Sequence, residues 1–380
     1  MKYQKCISII CIGSLLAGTL LGCKPTEVEE TSAIAPTVQS ASDKEAVQKF
    51  QQKFQNGFQV DLTYQKPKNI NFNTMPVQSV KYSNFVTEED KLLKMLMPGQ
   101  TIAKKHENID PVAMPDGTHQ KTIELDLNSG AKILASNTGN VAVTTPLGNS
   151  IMYAYTDPMY DGSVESGNAG NYTKTELTSF PKQKAVRTAK QILTDLKIDC
   201  SDAVRVVALD HETLQKSEKD PGIGGKPTKE KKRGTWTAND ECYAIYFQQN
   251  VSGIPVVHKK VAHGENGCTP PSIRVLYGKQ GLVDLYVNAL EKSDEKPTTT
   301  KICSVQTALQ AVIGNFSDTQ LSGKLTLNKI ELKYAVRQLT LNTWKFCLKP
   351  VWEVTLYDES QKYHYKAYAD AETGKLLGVG

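Results

Sequence analysis

A few groups of residues have the types that chemistry needs, and their spacing decides among them. His258, His263 and Cys268 combine two imidazoles and a thiol, the donor set of a zinc site or of a Cys–His nucleophile pair. Each lies five positions from the next, and on a strand an odd spacing puts neighbours on opposite faces. Only an intervening loop would bring them together. His106-Glu107 and His211-Glu212 lack a second His one helical turn on, which an H-E-x-x-H zinc site requires. Ser293 and Lys296 have S-x-x-K spacing, and Ser166 and Asn168 fit S-x-N. Their order is the reverse of that in enzymes using both, and no K-T-G follows. Asp157 and Asp161 pair two carboxylates in a Gly-rich stretch, but oxygen donors and glycine do not fall in the register of a Ca²⁺ loop. G-x-S-x-G, P-loop and dinucleotide-binding glycine patterns do not occur. The expectation is a chain with no catalytic residue, no metal and no cofactor.

Two segments have the composition of interaction loops instead. GIGGKPTKEKKRG (222–234) carries Lys226, Lys229, Lys231, Lys232 and Arg233. It would attract an anionic wall polymer, lipid headgroups or an acidic partner. It lies in an excursion from about Asp210 to Asn239, longer than most structureless loops. Residues 152–176 hold Tyr153, Tyr155, Tyr160 and Tyr172 among Gly and Ser. That is binding-loop chemistry, although Tyr153 and Tyr155 also suit packing on a strand face.

A third candidate lies near the start. Lys2 and Lys5 precede ISIICIGSLLAGTLLG (7–22), an apolar run short of the roughly 20 residues of a membrane span. A basic front, a short apolar middle and small residues before a break form the secretory pattern. Leu20-Leu21-Gly22-Cys23 resembles the Leu-x-Gly-Cys box of bacterial lipoprotein signals. The resemblance implies a signal peptide over 1–22 and palmitate-type acylation of Cys23, which becomes the mature first residue. A diacyl anchor supplies the two-chain hold that a single chain lacks. From Cys23 to residue 45 the sequence is rich in Thr, Ser, Ala, Glu and Pro without periodicity, as expected of a disordered tether. The expected location is the cell membrane, on the extracytoplasmic face.

Composition narrows the partners. Losing Lys2 and Lys5 takes the formal charge from +5 to +3, too mild for nucleic-acid binding. Beyond the leader and Cys23, five cysteines remain, Cys200, Cys242, Cys268, Cys303 and Cys347. An odd number leaves at least one unpaired within the chain. Disulfides are allowed outside the cell, and free buried thiols are equally acceptable.

The elements that position these residues follow from periodicity. AVQKFQQKFQNG (46–57) suggests an opening helix. Thr87 can cap EEDKLLKMLM, where Leu92, Leu93 and Leu96 give a helical stripe. Residues 121–146 alternate apolar and polar around Asn128-Ser129-Gly130, a hairpin signal. Residues 46–178 are read as one mixed domain. In KQKAVRTAKQILTDLKI, Val186, Ala189, Ile192, Leu193 and Leu196 line one helical face, and strands follow to residue 290. DEKPTTT (294–300) reads as a linker. Ser304 can cap a helix carrying Val305, Ala308, Leu309, Val312 and Ile313, again followed by strands. Units 179–293 and 294–380 therefore each run helix first, then an antiparallel meander. That order is α+β.

YAIYFQQNVSGIPV (243–256) and the later Pro350-Val351-Trp352 and Asp370-Ala371-Glu372-Thr373-Gly374 are similar to PepSY and propeptide-like domains. Tandem units on an anchor also resemble YycH/YycI-type regulators of sensor kinases and surface lipoproteins of Clostridia-type bacteria. The resemblance covers roughly residues 181–380. It implies a non-catalytic role, restraining a peptidase or a surface receptor, with a surface or secreted protein as partner. On residue chemistry alone, Trp352 fills a core between helix and sheet. The rival expectation is a solute or glycan binder, and the third a metal- or thiol-dependent enzyme.

Overall fold

In the computed structural model the described residues are 37–39, 47–67, 70–86, 89–114, 116–157, 167–219, 233–259, 261, 269–339, 345–360 and 363–379. The leader, Cys23 and nearly all of the tether lie outside them, as does the Thr87 cap. The class is mixed α+β and dominated by sheet, with five α-helices among the described residues.

The opening segment is a strand, Val47–Lys53, not the expected helix. Apolar positions 47, 50 and 54 have helical spacing, but Asn56-Gly57 is a hairpin signal and outweighs it. Gly57 takes φ +90°, a conformation that needs glycine. The chain turns back as Phe58–Gln65, and Phe50 is fully buried between this hairpin and the rest of the core.

Two large sheets result. In the first, Phe58–Gln65 lies parallel to Leu325–Gln338, which continues antiparallel through Phe346–Asp358, Tyr363–Asp370 and Leu376–Val379. Met75–Tyr82 pairs with Phe346–Leu348, with Leu290–Lys292 and with Thr298–Thr300. The expected linker at 294–300 thus contains a sheet strand. The second sheet is antiparallel throughout, in the order Ile102–Ala113, His119–Leu127, Lys132–Ser136, Asn140–Thr144, Gly281–Asn288, Ser272–Gly278, Cys242–Phe247, Arg205–Leu209.

The expected serial boundaries at 178/179 and 293/294 are therefore crossed by strand pairing. Residues 47–82 complete the sheet of the C-terminal part, and residues 102–144 complete the sheet of the middle part. Local periodicity identifies strands but carries no information on non-local partners. Ile34–Gly380 forms one compact unit.

Helices cover these sheets. Helix α1 (Glu89–Leu96) buries Leu92 and Leu96 beside α3, on one face of the second sheet. Helix α2 (Pro146–Ala154) was hidden in the sequence between a hairpin and a loop. Its start is nonetheless written there: Thr145 accepts from the Gly148 N–H at 3.0 Å, and Pro146 opens the first turn, where a missing N–H costs nothing. Gly148 leaves α2 flush on the Val283 carbonyl, with no room for a Cβ. Helix α3 (Lys182–Asp195) buries Ala185, Ala189, Ile192 and Leu193 on the same face as α1. Helix α4 (His211–Lys219) packs with α2 on the opposite face; it occupies the first part of what reads as a loop excursion. Helix α5 (Val305–Phe316), capped by Ser304 as expected, buries its apolar stripe against the first sheet. Trp352 is fully buried there, edge-on to Tyr64 and Phe72 with centroids 5.8 Å away in each case.

Pro350 sits inside the strand Phe346–Asp358. Its carbonyl accepts from Ala371, so its nitrogen faces the same side. On that side Met75–Tyr82 pairs only as far as Leu348, and Tyr363–Asp370 begins pairing at Val351. The missing N–H falls in the gap between two partners and costs no ladder bond.

Candidate interaction surfaces

Only some of the sequence candidates fall among the described residues. Lys226, Lys229, Lys231 and Lys232 lie outside the described residues, as do Tyr160, Asp161, Ser166, His263 and Cys268. The base of the basic excursion is described, and buried acids fasten it. Glu218 accepts from the N–H groups of Arg233 and Gly234, and Asp240 takes the Arg233 guanidinium at 2.5 Å. Arg233 is thereby spent on an internal ion pair rather than offered to a partner. Two tyrosines of the Tyr-rich segment are likewise engaged inside the fold. Tyr155 and Tyr172 are buried and meet edge-on at 5.3 Å. The Tyr172 hydroxyl donates to the Ala154 carbonyl at 2.9 Å, which leaves neither ring face to a ligand. Tyr153 lies in α2, not on a strand, and is half-buried.

Glu241 joins a serine to a histidine. It accepts from the Ser179 hydroxyl at 2.6 Å and lies 2.7 Å from His211 Nδ1. In a nucleophilic triad the imidazole stands between hydroxyl and acid. Here the acid stands between the other two, so no proton path runs from Ser179 to His211. The set holds the start of α4 against the strand Cys242–Phe247. Asn168, half of the S-x-N pattern, donates to Ala154 and accepts from Thr156.

The first sheet carries a buried charge cluster. Glu353 is 2% exposed. Lys333 reaches it at 2.8 Å and Lys366 at 3.0 Å from a neighbouring strand on each side. Burial works to raise the Glu353 pKa, but the two ammonium groups prevail and bring it down to about 2. Lys366 also donates to the Thr355 hydroxyl at 2.7 Å.

Two open edges terminate the second sheet. One is a ribbon, Ile102–Ala113 paired with His119–Leu127. Its base is guarded by cross-strand ion pairs, among them Glu107 with Lys121 at 2.7 Å. Toward its tip Ile109 is 55% exposed and Val112 73% exposed. Charges on an edge discourage indiscriminate pairing; bare aliphatic side chains toward the end do the opposite.

The other edge is Arg205–Leu209, which among the described residues pairs with Cys242–Phe247 on one side alone. Beside it runs a groove of about 610 Å³ along the outer face of α3. Val186, Ala203 and Val206 contribute its apolar lining, while Lys182, Arg187 and Lys190 lie along the helix side. Lys190 pairs with Asp202 at 2.6 Å, and Lys182 lies 3.8 Å from Glu176. Arg187 is exposed and has no ion pair among the described residues. The charge order of α3 opposes its dipole. Its first turn has no acid and its last turn no base, whereas acids belong at the N-terminus and bases at the C-terminus. Sequence reading picked out the apolar face of α3 and passed over this outer one. The inverted charge order was the available signal.

No family model matches the chain, and no curated protein matches it at a significant level. Among solved structures, it is similar to an uncharacterized protein from Eubacterium rectale ATCC 33656. That likeness has a TM-score of 0.64 at 17% identity, over 87% of this chain and 94% of the other, and it shows a shared fold. The Bacillus megaterium YpeB C-terminal domain matches with a TM-score of 0.33 and 9% identity, over 78% of this chain and 98% of that one. Likeness at that level carries no inference about this chain.

Proposed function

We propose that this chain is a lipoprotein anchored through Cys23 to the outer face of the cell membrane, with a body that binds and restrains another protein. The partner is a surface receptor or a secreted peptidase, and the role is non-catalytic. The observation that carries this reading is the projecting ribbon, with Ile109 and Val112 bare above a charged base. Exposed aliphatic groups at the tip of a guarded edge are what a protein contact uses. One helix followed by strands in 305–379, and the same order in 182–288 with α4 interposed after the first strand, support the reading of two PepSY-like units, whose sheets are completed by N-terminal strands. The Leu20–Cys23 box supports the signal peptide and the anchor.

The test is crosslinking in native membranes, with mass spectrometry of what is attached, for the intact chain and for I109D/V112D. One protein enriched over an anchor-only control, and lost in the variant, is the expected result. No enrichment over that control overturns the reading.

A second reading has its own observation. A polar pocket of about 200 Å³ is lined by Tyr82, Gln120, Thr138, Asn140, Tyr286 and Asn288. Amides and phenols suit hydroxyl-rich ligands such as a sugar. A rise in melting temperature with monosaccharides, absent in N140A, would favour that reading.

A further inference from the structure

Building on the protein-binding reading, we infer that the groove between α3 and the strand Arg205–Leu209 takes an extended acidic peptide of the partner as an added sheet strand. Three independent features converge there. The first is the open edge. Arg205–Leu209 has one strand neighbour among the described residues, so its outer backbone groups are a template for another strand. The second is size. The groove follows α3 from Lys182 to Thr194, about 18 Å at 1.5 Å per residue. An extended chain covers that length with about five or six residues at roughly 3.3 Å each.

The third is charge. Lys182, Arg187 and Lys190 face the groove against a single acid, Asp202. Arg187 stands at mid-groove without an ion pair among the described residues. Its planar guanidinium suits a carboxylate in two-point contact. The helix bears this charge at a cost to itself, because Lys182 and Lys184 crowd the positive end of its dipole. Glu176 relieves only part of this, accepting from the Lys182 N–H at 2.6 Å. A charge arrangement that works against its own helix is expected where a partner uses it. Val186, Ala203 and Val206 supply apolar surface for alternate side chains of the peptide. The occupant is therefore an extended segment alternating apolar and acidic residues. A second copy of this chain is not favoured, since the basic groove would meet a basic groove.

The probe is a fluorescein-labelled hexapeptide of alternating Val and Glu, titrated into the full chain in detergent and read by anisotropy. The comparison peptide alternates Val and Lys. The Val–Glu peptide should bind and the Val–Lys peptide should not. R187E should weaken binding at least about five-fold, the size of one exposed ion pair lost, and should gain the Val–Lys peptide. A Val–Glu peptide N-methylated at alternate residues should lose binding to the unaltered protein, because it cannot continue the ladder. This last measurement does not depend on any variant folding. Equal binding of both charges, unchanged binding by R187E, or full binding of the N-methylated peptide overturns the inference. So does concentration-dependent self-association that the peptide abolishes, since the occupant is then a second copy. If R187E leaves the crosslinked partner in native membranes unchanged while I109D/V112D loses it, the groove inference fails and the protein-binding reading stands.

Discussion

Replacing Glu353 by Gln converts a stabilising buried ion pair into two lysines facing an uncharged amide. The cost can be worked from its surroundings. The two ammonium groups hold the carboxyl at about 2 against an ordinary 4.5. A depressed pKa contributes stability above the unfolded value, and that stability is lost as pH falls through the folded value. At 1.36 kcal/mol per pKa unit, Glu353 contributes about 3 kcal/mol at pH 7. The same linkage leaves about 1.4 kcal/mol at pH 3. Removing one partner of a buried pair typically costs roughly 3–5 kcal/mol, in agreement. Urea unfolding followed by tryptophan fluorescence is the assay, because Trp352 is the next residue along the strand and faces the core. E353Q should unfold at lower urea at pH 7, with a stability deficit of about 3 kcal/mol that narrows by roughly half or more by pH 3. A deficit that stays constant between pH 7 and pH 3 would refute the reasoning. It would mean that shape, not the charge held by Lys333 and Lys366, is what Glu353 supplies.

Other outcomes follow from the same structure. Trp352→Ala empties the contact with Tyr64 and Phe72 and should cost about 3–5 kcal/mol, read as a lower urea midpoint. Cys200 is pushed up to about 11 by burial, and burial also raises the thiols of Cys242 and Cys303. Iodoacetamide at pH 8 should therefore leave these three unmodified in folded protein, by peptide mass mapping, and label them in urea. Cys23→Ser should move the protein from the detergent-rich to the aqueous phase of a Triton X-114 partition, without changing its melting temperature.

What was legible in the sequence was local. The Ser304 cap, the buried Trp352 and the Asp370 turn each rest on a few neighbouring residues. At that turn Asp370 accepts from Glu372, Thr373 and the Thr373 hydroxyl, and Gly374 adopts φ +74°. The apolar stripes of α3 and α5 were equally plain, since a helix face repeats within one segment. Competing local signals produced the misreading at 46–57, where helical spacing hid Asn56-Gly57. They also hid α2, whose Thr145-Pro146 start was absorbed into the preceding hairpin. The division into consecutive domains failed for another reason. Nothing near Phe58 in the chain states that Leu325 will lie beside it. The edge groove was half visible: the strand and the helix were both expected, but their adjacency, and so the meaning of Arg187, is a property of the assembled sheet.

That adjacency between distant segments has a consequence in time. Phe58 pairs with Leu325, and Asn56 donates to the carbonyls of Phe316 and Thr319. As the chain emerges from its N-terminus, Val47–Lys53 already has Thr37–Gln39 beside it, but the far edge of Phe58–Gln65 has no strand partner until Leu325–Leu327 has appeared. The second sheet can close earlier, because its strands end at Asn288. Folding should then be two-phased and slow in its final step, as expected for long-range pairing. Until that step the hairpin's outer edge stays sticky, and a chaperone holding it would be shielding the junction that a C-terminal truncation exposes for good.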